Sequence, residues 1–260
     1  MLADADIKDM KTKIYENLAD LYSLWRDIIS GEKGHEKQEA DFIVDVFKRH
    51  SDQIRKVIDL GGGIGLHSDL LLRLGYDVTL LDQSKKALTI AKQNHPKLNL
   101  ICDSFEEIDI KEKYDAAICM WSTAPYICSK EGRKVFYNWL KTHVRKVIIL
   151  DEANFYTYPQ EFHKVYLGED GENKIKIVRD WIITKENLRK TKYLYEIFNK
   201  KSNKTKIIKD AENQQYLSVE ILRKYLGSDW KLQYLFGDYS LQSQYNQKKS
   251  PRIITVFQKN

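Results

Sequence analysis

The chain has 260 residues, enough for one large domain or for one domain with a sizeable insertion. Its 42% hydrophobic and 12% aromatic residues exclude a largely disordered protein. No apolar run reaches the ~18–20 residues of a membrane-spanning helix, and the first twenty residues hold no signal-peptide core. We therefore expect a cytoplasmic protein that does not engage a membrane.

The predicted elements alternate between helix and strand as far as residue 150. Residues 7–29 have apolar side chains at helical spacing, and a second amphipathic helix carries Ala40, Ile43, Val44 and Phe47 on one face. The predicted strands that follow are 56–60, 76–81, 98–102, 114–120 and 147–150, and the predicted helices are 66–74, 84–94 and 130–143. This alternation predicts an α/β fold, with a parallel sheet covered by helices on both faces.

The pattern changes near residue 155. Three segments alternate polar and apolar residues without helical spacing (174–183, 187–199 and 204–216), which predicts an antiparallel β insertion. A helix at 218–226 and strands at 230–236 and 252–258 follow. We therefore expect an N-terminal helical cap (1–50), an α/β core (51–155), a β insertion on the substrate side (156–217), and a C-terminal helix with the closing strands (218–260).

The net charge of +6 is concentrated in one segment. Residues 185–209 hold nine Lys or Arg and two acidic residues, so the rest of the chain is about neutral. This favours a solvated strand whose lysines discourage edge pairing. A surface that attracts phosphorylated substrates or nucleic acid is the alternative.

Cysteine usage indicates neither a disulfide framework nor a metal site. Cys102, Cys119 and Cys128 form no C-x-x-C pair. We expect three small buried side chains and no bound metal.

Residues 59–65 read Asp-Leu-Gly-Gly-Gly-Ile-Gly at a junction between a strand and a helix. Glycines let the backbone turn tightly and approach a ligand, and the helix that follows offers unpaired N–H groups. Alone, the motif also fits a plain turn. Asp82 ends the second strand, where it can accept both hydroxyls of a ribose. Asp103 follows the third strand beside Phe105, and can accept an adenine amino group, so the three sites together predict a nucleoside.

The same turn argues against a nicotinamide dinucleotide. The dinucleotide motif G-x-G-x-x-G requires a glycine three residues after its second one. Leu66 stands three residues after Gly63, and Ser68 three after Gly65. A P-loop is excluded because no Gly-Lys-Ser or Gly-Lys-Thr occurs.

Four segments between residues 40 and 151 resemble the successive motifs of class I S-adenosylmethionine (SAM)-dependent methyltransferases. They are Val57–Gly65, Leu80–Ser84, Cys102–Phe105 and Tyr114–Met120. The resemblance implies SAM as the cofactor and a Rossmann-like, seven-stranded, mostly parallel sheet whose last strand is antiparallel.

The resemblance also implies a cofactor site. Gly61, Gly63 and Gly65 would flank the methionine part of SAM, Asp82 the ribose, Asp103 with Phe105 the adenine, and Met120 with Trp121 the methionine side. Asp59, Gly62, Gln83 and Ser104 complete these motifs.

A narrower resemblance points to methyltransferases that act on small molecules such as amino sugars and glycine. It rests on Tyr15 and Tyr22 in the first helix, on the β insertion, and on residues 236–239 and 250–256. It implies that Tyr15 and Tyr22 cover the cofactor and that the insertion helps to form the acceptor pocket. Residues 121–126 match no single member's pocket, so the acceptor stays open.

Methyl transfer from SAM is a direct displacement, so the protein mainly supplies alignment and, where needed, removes a proton. Tyr126 follows strand four, and Asp151 with Glu152 ends strand five. As a hypothesis, Asp151 or Glu152 attracts a cationic amine, and Tyr126 orients it or relays its proton. Alternatively, Asp151 caps a loop and Tyr126 only packs.

The sequence therefore predicts an enzyme, a SAM-dependent methyltransferase that acts on a small molecule through an amine or a hydroxyl group. One alternative is an RNA methyltransferase that uses residues 185–209, and another is a non-catalytic SAM-binding protein. Nucleic acid is not the expected partner but stays open. The oligomeric state is expected to be a monomer or a homodimer.

Overall fold

The computed structural model describes residues 16, 18–31, 34–50 and 53–260. Its α-helices are α1 (Tyr22–Ser30), α2 (His35–His50), α3 (Leu66–Arg73), α4 (Lys85–Asn94), α5 (Lys130–His143) and α6 (Val219–Leu226). Its strands are β1 (Lys56–Leu60), β2 (Asp77–Asp82), β3 (Asn99–Cys102), β4 (Tyr114–Cys119), β5 (Val144–Ala153), β6 (Glu161–Glu169), β7 (Asn173–Ile183), β8 (Leu188–Asn199), β9 (Lys204–Gln215), β10 (Trp230–Phe236) and β11 (Arg252–Lys259). Two compact units emerge, one of residues up to 34 with 159–216, the other of residues 35–158 with 217–260.

The larger unit contains a seven-stranded sheet in the order β10-β11-β5-β4-β1-β2-β3. Strands β1 to β5 pair in parallel, whereas β11 runs antiparallel to both β5 and β10. This topology confirms the predicted fold class. The carboxyl ends of β1, β2, β3, β4 and β5 therefore lie along one edge of the sheet, where open α/β sheets bind ligands.

Helices cover both faces of this sheet. On one face, side chains of α2, α3 and α4, such as Phe47, Leu71 and Leu88, join a buried apolar cluster with the sheet. On the other face, Phe136 of α5 and Leu222 of α6 join a second cluster. Strand β5 is longer than the predicted 147–150, because both its ends stay paired with neighbouring strands.

The smaller unit contains a four-stranded antiparallel sheet in the order β6-β7-β8-β9. The three predicted strands are present, and β6 is an additional one. Its alternation was hard to read because charged residues occur on both faces of Glu-Phe-His-Lys-Val-Tyr-Leu-Gly-Glu. Helix α1 packs on this sheet through Trp25 and Ile28, against a cluster that includes Tyr195.

The two units divide the predicted N-terminal cap. Helix α2 packs on the seven-stranded sheet, whereas α1 belongs with the four-stranded sheet. The physical reason is that the apolar face of α2, with Phe42, Ile43 and Phe47, is buried against the sheet that follows it directly in sequence. The functional roles assigned to the four segments stay predictions. No helix among the described residues is long and apolar enough to cross a membrane.

Candidate functional site

The glycine turn lies directly after β1, and its backbone takes conformations that favour glycine. Gly61 has a φ of 74°, and a Cβ built on it would lie 2.3 Å from Thr123 Cγ2. Gly63 has a φ of 57°, and a Cβ there would meet no atom within 4 Å. The loop that follows β4 (the β4 loop) therefore packs against the turn at Gly61, while the space at Gly63 is open. We call this open space beside the glycine turn the cradle, because a ligand can approach the backbone there.

Two carboxylates hold this turn. Asp82, at the end of β2, accepts hydrogen bonds from the backbone N–H of Gly63 at 2.9 Å and of Ser84 at 2.8 Å. Asp59 is fully buried and accepts a 2.7 Å hydrogen bond from the Ser68 hydroxyl, which joins β1 to α3. Burial raises the pKa of Asp59, and nearby His67 and the Ser68 hydrogen bond partly offset this rise.

The third element follows β3. Asp103 accepts a hydrogen bond from the Ser104 N–H at 2.8 Å, which fixes the start of the loop. The Phe105 ring packs on Phe136 with centroids 4.8 Å apart, and its Cζ lies 3.2 Å from the Cβ position of Gly61. An aromatic face and the glycine turn are thus neighbours. Gln83 is exposed beside Asp82.

The loop after β4 begins with an unusual backbone. Trp121 and Ser122 have φ values of 57° and 59°, which is costly for residues with side chains. The Ser122 N–H donates to the Asp151 carbonyl at 2.9 Å, and the Ser122 hydroxyl accepts from the Ala153 N–H at 2.7 Å. Met120, just before the turn, is buried in the core.

Asp151, at the end of β5, is fully buried and has four hydrogen-bond donors around its carboxylate. Arg252 donates through Nε and Nη2 at 2.7 Å each, the Tyr239 hydroxyl donates at 2.8 Å, and the Trp121 N–H donates at 2.9 Å. This saturated carboxylate is suited to holding β4, β5 and β11 together. Because its oxygens already accept these four hydrogen bonds, the geometry does not favour the hypothesis that Asp151 attracts an amine directly.

Glu152 is different from its neighbour. It is nearly fully buried, and strand alternation places it on the face of β5 that carries Ile148 and Leu150, which pack with α5. Burial and the charge of Asp151 raise the pKa of Glu152 to about 8, although Arg252 opposes the rise. A carboxyl with this pKa can gain or lose a proton near neutral pH.

The three tyrosines that the sequence assigned to the site are Tyr126, Tyr22 and Tyr15. Tyr126 ends a short 3-10 turn, Ala124–Tyr126, directly after β4, and its side chain is half-buried. Tyr22 begins α1 in the smaller unit and stacks on Trp25, with centroids 5.8 Å apart. Tyr15 lies outside the described residues. The assigned roles of all three stay predictions.

Sequence reasoning assigned no site role to three residues that shape this site: Glu39, Thr123 and Tyr239. Glu39 had a readable signal, because it stands four residues before Ile43 on the apolar face of α2 and is fully buried. A charged residue on an apolar stripe needs a partner inside the protein. Thr123 and Tyr239 had no such signal. Within the described ranges, no three His, Cys, Asp or Glu residues are grouped in a way that could hold a metal ion.

Comparison with known proteins shows what this region of the chain is similar to. Residues 57–146 match a family model described as a methyltransferase domain. A glycine/sarcosine N-methyltransferase from Aphanothece halophytica is 26% identical over 160 residues, 58% of this chain and 58% of that protein. The chain thus spans somewhat more than half the length of this curated relative.

Two solved structures share the fold over nearly the whole chain. A SAM-dependent methyltransferase from Clostridium acetobutylicum superposes with a TM-score of 0.76 at 18% identity, covering 95% of this chain and 99% of that one. A SAM-bound amino pentose methyltransferase from Micromonospora echinaspora gives 0.71 at 12% identity, covering 97% and 99%. By its motifs, its family match and its sheet order, the chain is similar to class I SAM-dependent methyltransferases, and residues 57–146 are the part that matches the methyltransferase-domain model.

Proposed function

We propose that this chain is a SAM-dependent methyltransferase that methylates an amine on a small molecule. The observation that carries the proposal is the cradle at the carboxyl ends of β1, β2 and β3. There the open Gly63 lies beside the buried Asp82 carboxylate, and Phe105 lies beside Gly61. A nucleoside with a charged tail fits this combination of glycine backbone, ribose acceptor and aromatic face.

The residues that would hold SAM are those of this cradle. Asp82 with Gln83 would bind the ribose, and Asp103, Ser104 and Phe105 the adenine. The methionine part would lie against the glycine turn and the start of the β4 loop: Asp59, Gly61, Gly62, Gly63, Gly65, Met120 and Trp121. When bound, SAM supplies a methyl group on a positively charged sulfur. Tyr15 and Tyr22 would cover the cofactor, as the resemblance implies.

An amine acceptor is favoured by Glu152. An aliphatic ammonium group has a pKa of about 10 and has no free electron pair until it loses a proton. A glutamate with the ordinary pKa of 4.5 is a poor acceptor for that proton, whereas Glu152, at about 8, is far better matched. We assign Glu152 the role of proton acceptor, Tyr126 that of orienting the amine, and Asp151 that of holding the β4 loop.

Relatives support the same class of acceptor. The curated relative is named for methylation of glycine and sarcosine nitrogen, and one structural neighbour for an amino pentose. An amine is therefore the first class to test, and a hydroxyl acceptor is the runner-up.

Calorimetric titration with SAM, S-adenosylhomocysteine and NAD tests the cofactor. We expect binding of the first two and none of the third. Binding of NAD in place of SAM would overturn the proposal, and a chain that binds neither is not a methyltransferase.

Formation of S-adenosylhomocysteine tests the acceptor. A panel should contain glycine, sarcosine and an amino sugar, each beside an analogue in which hydroxyl replaces the amine. We expect turnover only with amines. Turnover of hydroxyl analogues alone would contradict the assignment of Glu152, and SAM binding without turnover of any acceptor would favour a non-catalytic protein.

Partners and setting complete the proposal. We infer a cytoplasmic monomer or homodimer whose partner is a small molecule rather than nucleic acid. One lysine of the basic segment 185–209 forms an ion pair within the chain, since Lys200 Nζ lies 2.9 Å from Glu169 Oε2. Absence of RNA binding at low salt would agree with this assignment, whereas tight and steeply salt-dependent RNA binding would favour the RNA alternative.

A further inference from the structure

Helix α2 places one carboxylate, Glu39, in the interior of the larger unit. It is fully buried, and its two oxygens have different partners. Oε2 contacts Nε2 of His67, in the helix that follows the glycine turn, and Oε1 accepts a 2.9 Å hydrogen bond from the indole Nε1 of Trp121. One side chain thus joins the two segments that border the cradle.

Trp121 is held at three points. Its indole N–H donates to Glu39, its backbone N–H donates to Asp151, and the Arg252 guanidinium lies 5.8 Å from the centre of its ring. Only part of the ring is buried. Trp121 is therefore held at its indole edge and at its backbone and has a cation beside its ring, while part of the ring surface stays accessible to solvent.

The position of Trp121 explains why such fixing matters. Two residues further on, Thr123 closes against the glycine turn at Gly61, so a shift of this loop changes the cradle. The left-handed backbone at Trp121 and Ser122 is costly, and residues in such conformations persist only when their surroundings hold them. Backbone bonds to Asp151 fix the turn, and the hydrogen bond to Glu39 fixes the N–H edge of the indole.

We propose that Glu39 is a positioning residue that sets the orientation of the Trp121 ring beside the cofactor cradle. The proposal rests on the proposed function only in taking the ligand of that cradle to be SAM. Glu39 itself does not touch the reacting atoms. Its effect passes through the indole N–H, so removing either member of the hydrogen bond gives a similar loss.

Fluorine NMR of protein labelled with 5-fluorotryptophan tests the orientation without any ligand. The five tryptophans give five signals, and Trp121→Phe assigns the one that disappears. In Glu39→Leu, which removes both acceptor oxygens, we expect the Trp121 signal to move while the other four stay. Glu39→Gln keeps an oxygen for the indole and should leave the signal near its original position.

Asp45→Asn is the matched control, because it removes an exposed carboxylate from the same helix. It should leave all five signals in place. A Trp121 signal that is unchanged in Glu39→Leu would overturn the proposal.

Titration with S-adenosylhomocysteine tests the consequence for the cradle. We expect Glu39→Leu and Trp121→Phe each to weaken binding by about tenfold or more, since small displacements of positioning groups cost up to ~100-fold in enzymes. The double variant should be no weaker than the weaker single one, because both changes break one hydrogen bond. Additive losses would contradict the proposal. Full affinity in Trp121→Phe would contradict it even if Glu39→Leu failed to fold.

The two proposals fail in different ways. If the wild-type chain binds neither SAM nor S-adenosylhomocysteine, the proposed function falls. The fluorine signal of Trp121 in the ligand-free variants still decides whether Glu39 orients the ring.

Discussion

Arg252 grips the Asp151 carboxylate with two parallel hydrogen bonds of 2.7 Å each, from Nε to Oδ1 and from Nη2 to Oδ2. The pair joins the last strand, β11, to the end of β5, and Asp151 is fully buried. Its carboxylate also receives the Trp121 N–H, so the same ion pair that closes the sheet supports the loop beside the cradle. Stability and site geometry therefore depend on one contact.

Breaking this pair should be costly. Arg252→Met leaves a buried carboxylate without its charge partner, and we expect the free energy of unfolding to fall by about 3–5 kcal/mol. Urea unfolding measures the loss. Arg145→Met is the control, because Arg145 is 58% exposed and lies 4.0 Å from Asp115, and exposed pairs contribute about 0–1 kcal/mol. Equal losses of unfolding free energy in the two variants would show that the buried pair stabilises the fold no more than an exposed pair does.

Gly61→Ala should damage the cradle beyond its effect on the backbone. A Cβ at Gly61 would lie 2.3 Å from Thr123 Cγ2, so the β4 loop must shift. Gly75→Ala is the control: its φ is 93° but a Cβ there meets nothing within 4 Å, so it should cost only about 1–2 kcal/mol for the left-handed conformation. We expect SAM binding to be lost in the first variant and kept in the second, by calorimetry. Thr123→Ser, which removes Cγ2, should restore part of the affinity of Gly61→Ala.

The sequence was sufficient to predict the sheet and the glycine turn, because both rest on local patterns. Buried β-branched runs end in glycines or acids, and the alternation with helices leaves few topologies. The position of Asp82 followed from its place at the end of the second predicted strand, and its hydrogen bond to Gly63 joins the two predicted motifs.

The partners of Asp151 could not be predicted, because they depend on long-range pairing. Arg252 is 101 residues away along the chain, and Tyr239 is 88 away. Spacing within a strand indicates that Asp151 and Glu152 point to opposite faces but not what each face holds. The structure therefore separates two adjacent acids that looked equivalent in sequence.

Asp82→Asn should weaken SAM binding strongly while the fold persists. The amide retains one acceptor oxygen but loses the charge, and hydrogen bonds to charged groups contribute about 1.5–3 kcal/mol, so we expect a loss of about 10- to 100-fold in affinity. Calorimetric titration with SAM measures it. Asp77→Asn, at the exposed start of the same strand, should bind like the wild type. A wild-type affinity in Asp82→Asn would remove Asp82 from the site.

Glu152 makes stability depend on pH in a predictable direction. In the folded chain its pKa is about 8, and its ordinary value is 4.5, so between these values the folded state keeps a proton that the unfolded state has lost. Unfolding then releases a proton, and this contribution to the free energy of unfolding falls by about 1.4 kcal/mol per pH unit as pH rises through the window. It is fully present below pH 4.5 and lost above about 8.

Glu152→Gln separates this effect from all others. The amide stays neutral, so the difference in unfolding free energy between wild type and variant should change steadily from pH 5 to 8, whereas Glu131→Gln, on the exposed side of α5, should give a flat difference.

If Glu152 also accepts the proton of an amine, kcat on that amine should fall in Glu152→Gln while SAM affinity stays unchanged. The wild-type rate should rise with pH toward about 8 as Glu152 ionises, and the variant should lack that rise on the same acceptor. A sloping stability difference with unchanged kcat would identify Glu152 as a buried structural acid, because the proton would then leave the amine by another route.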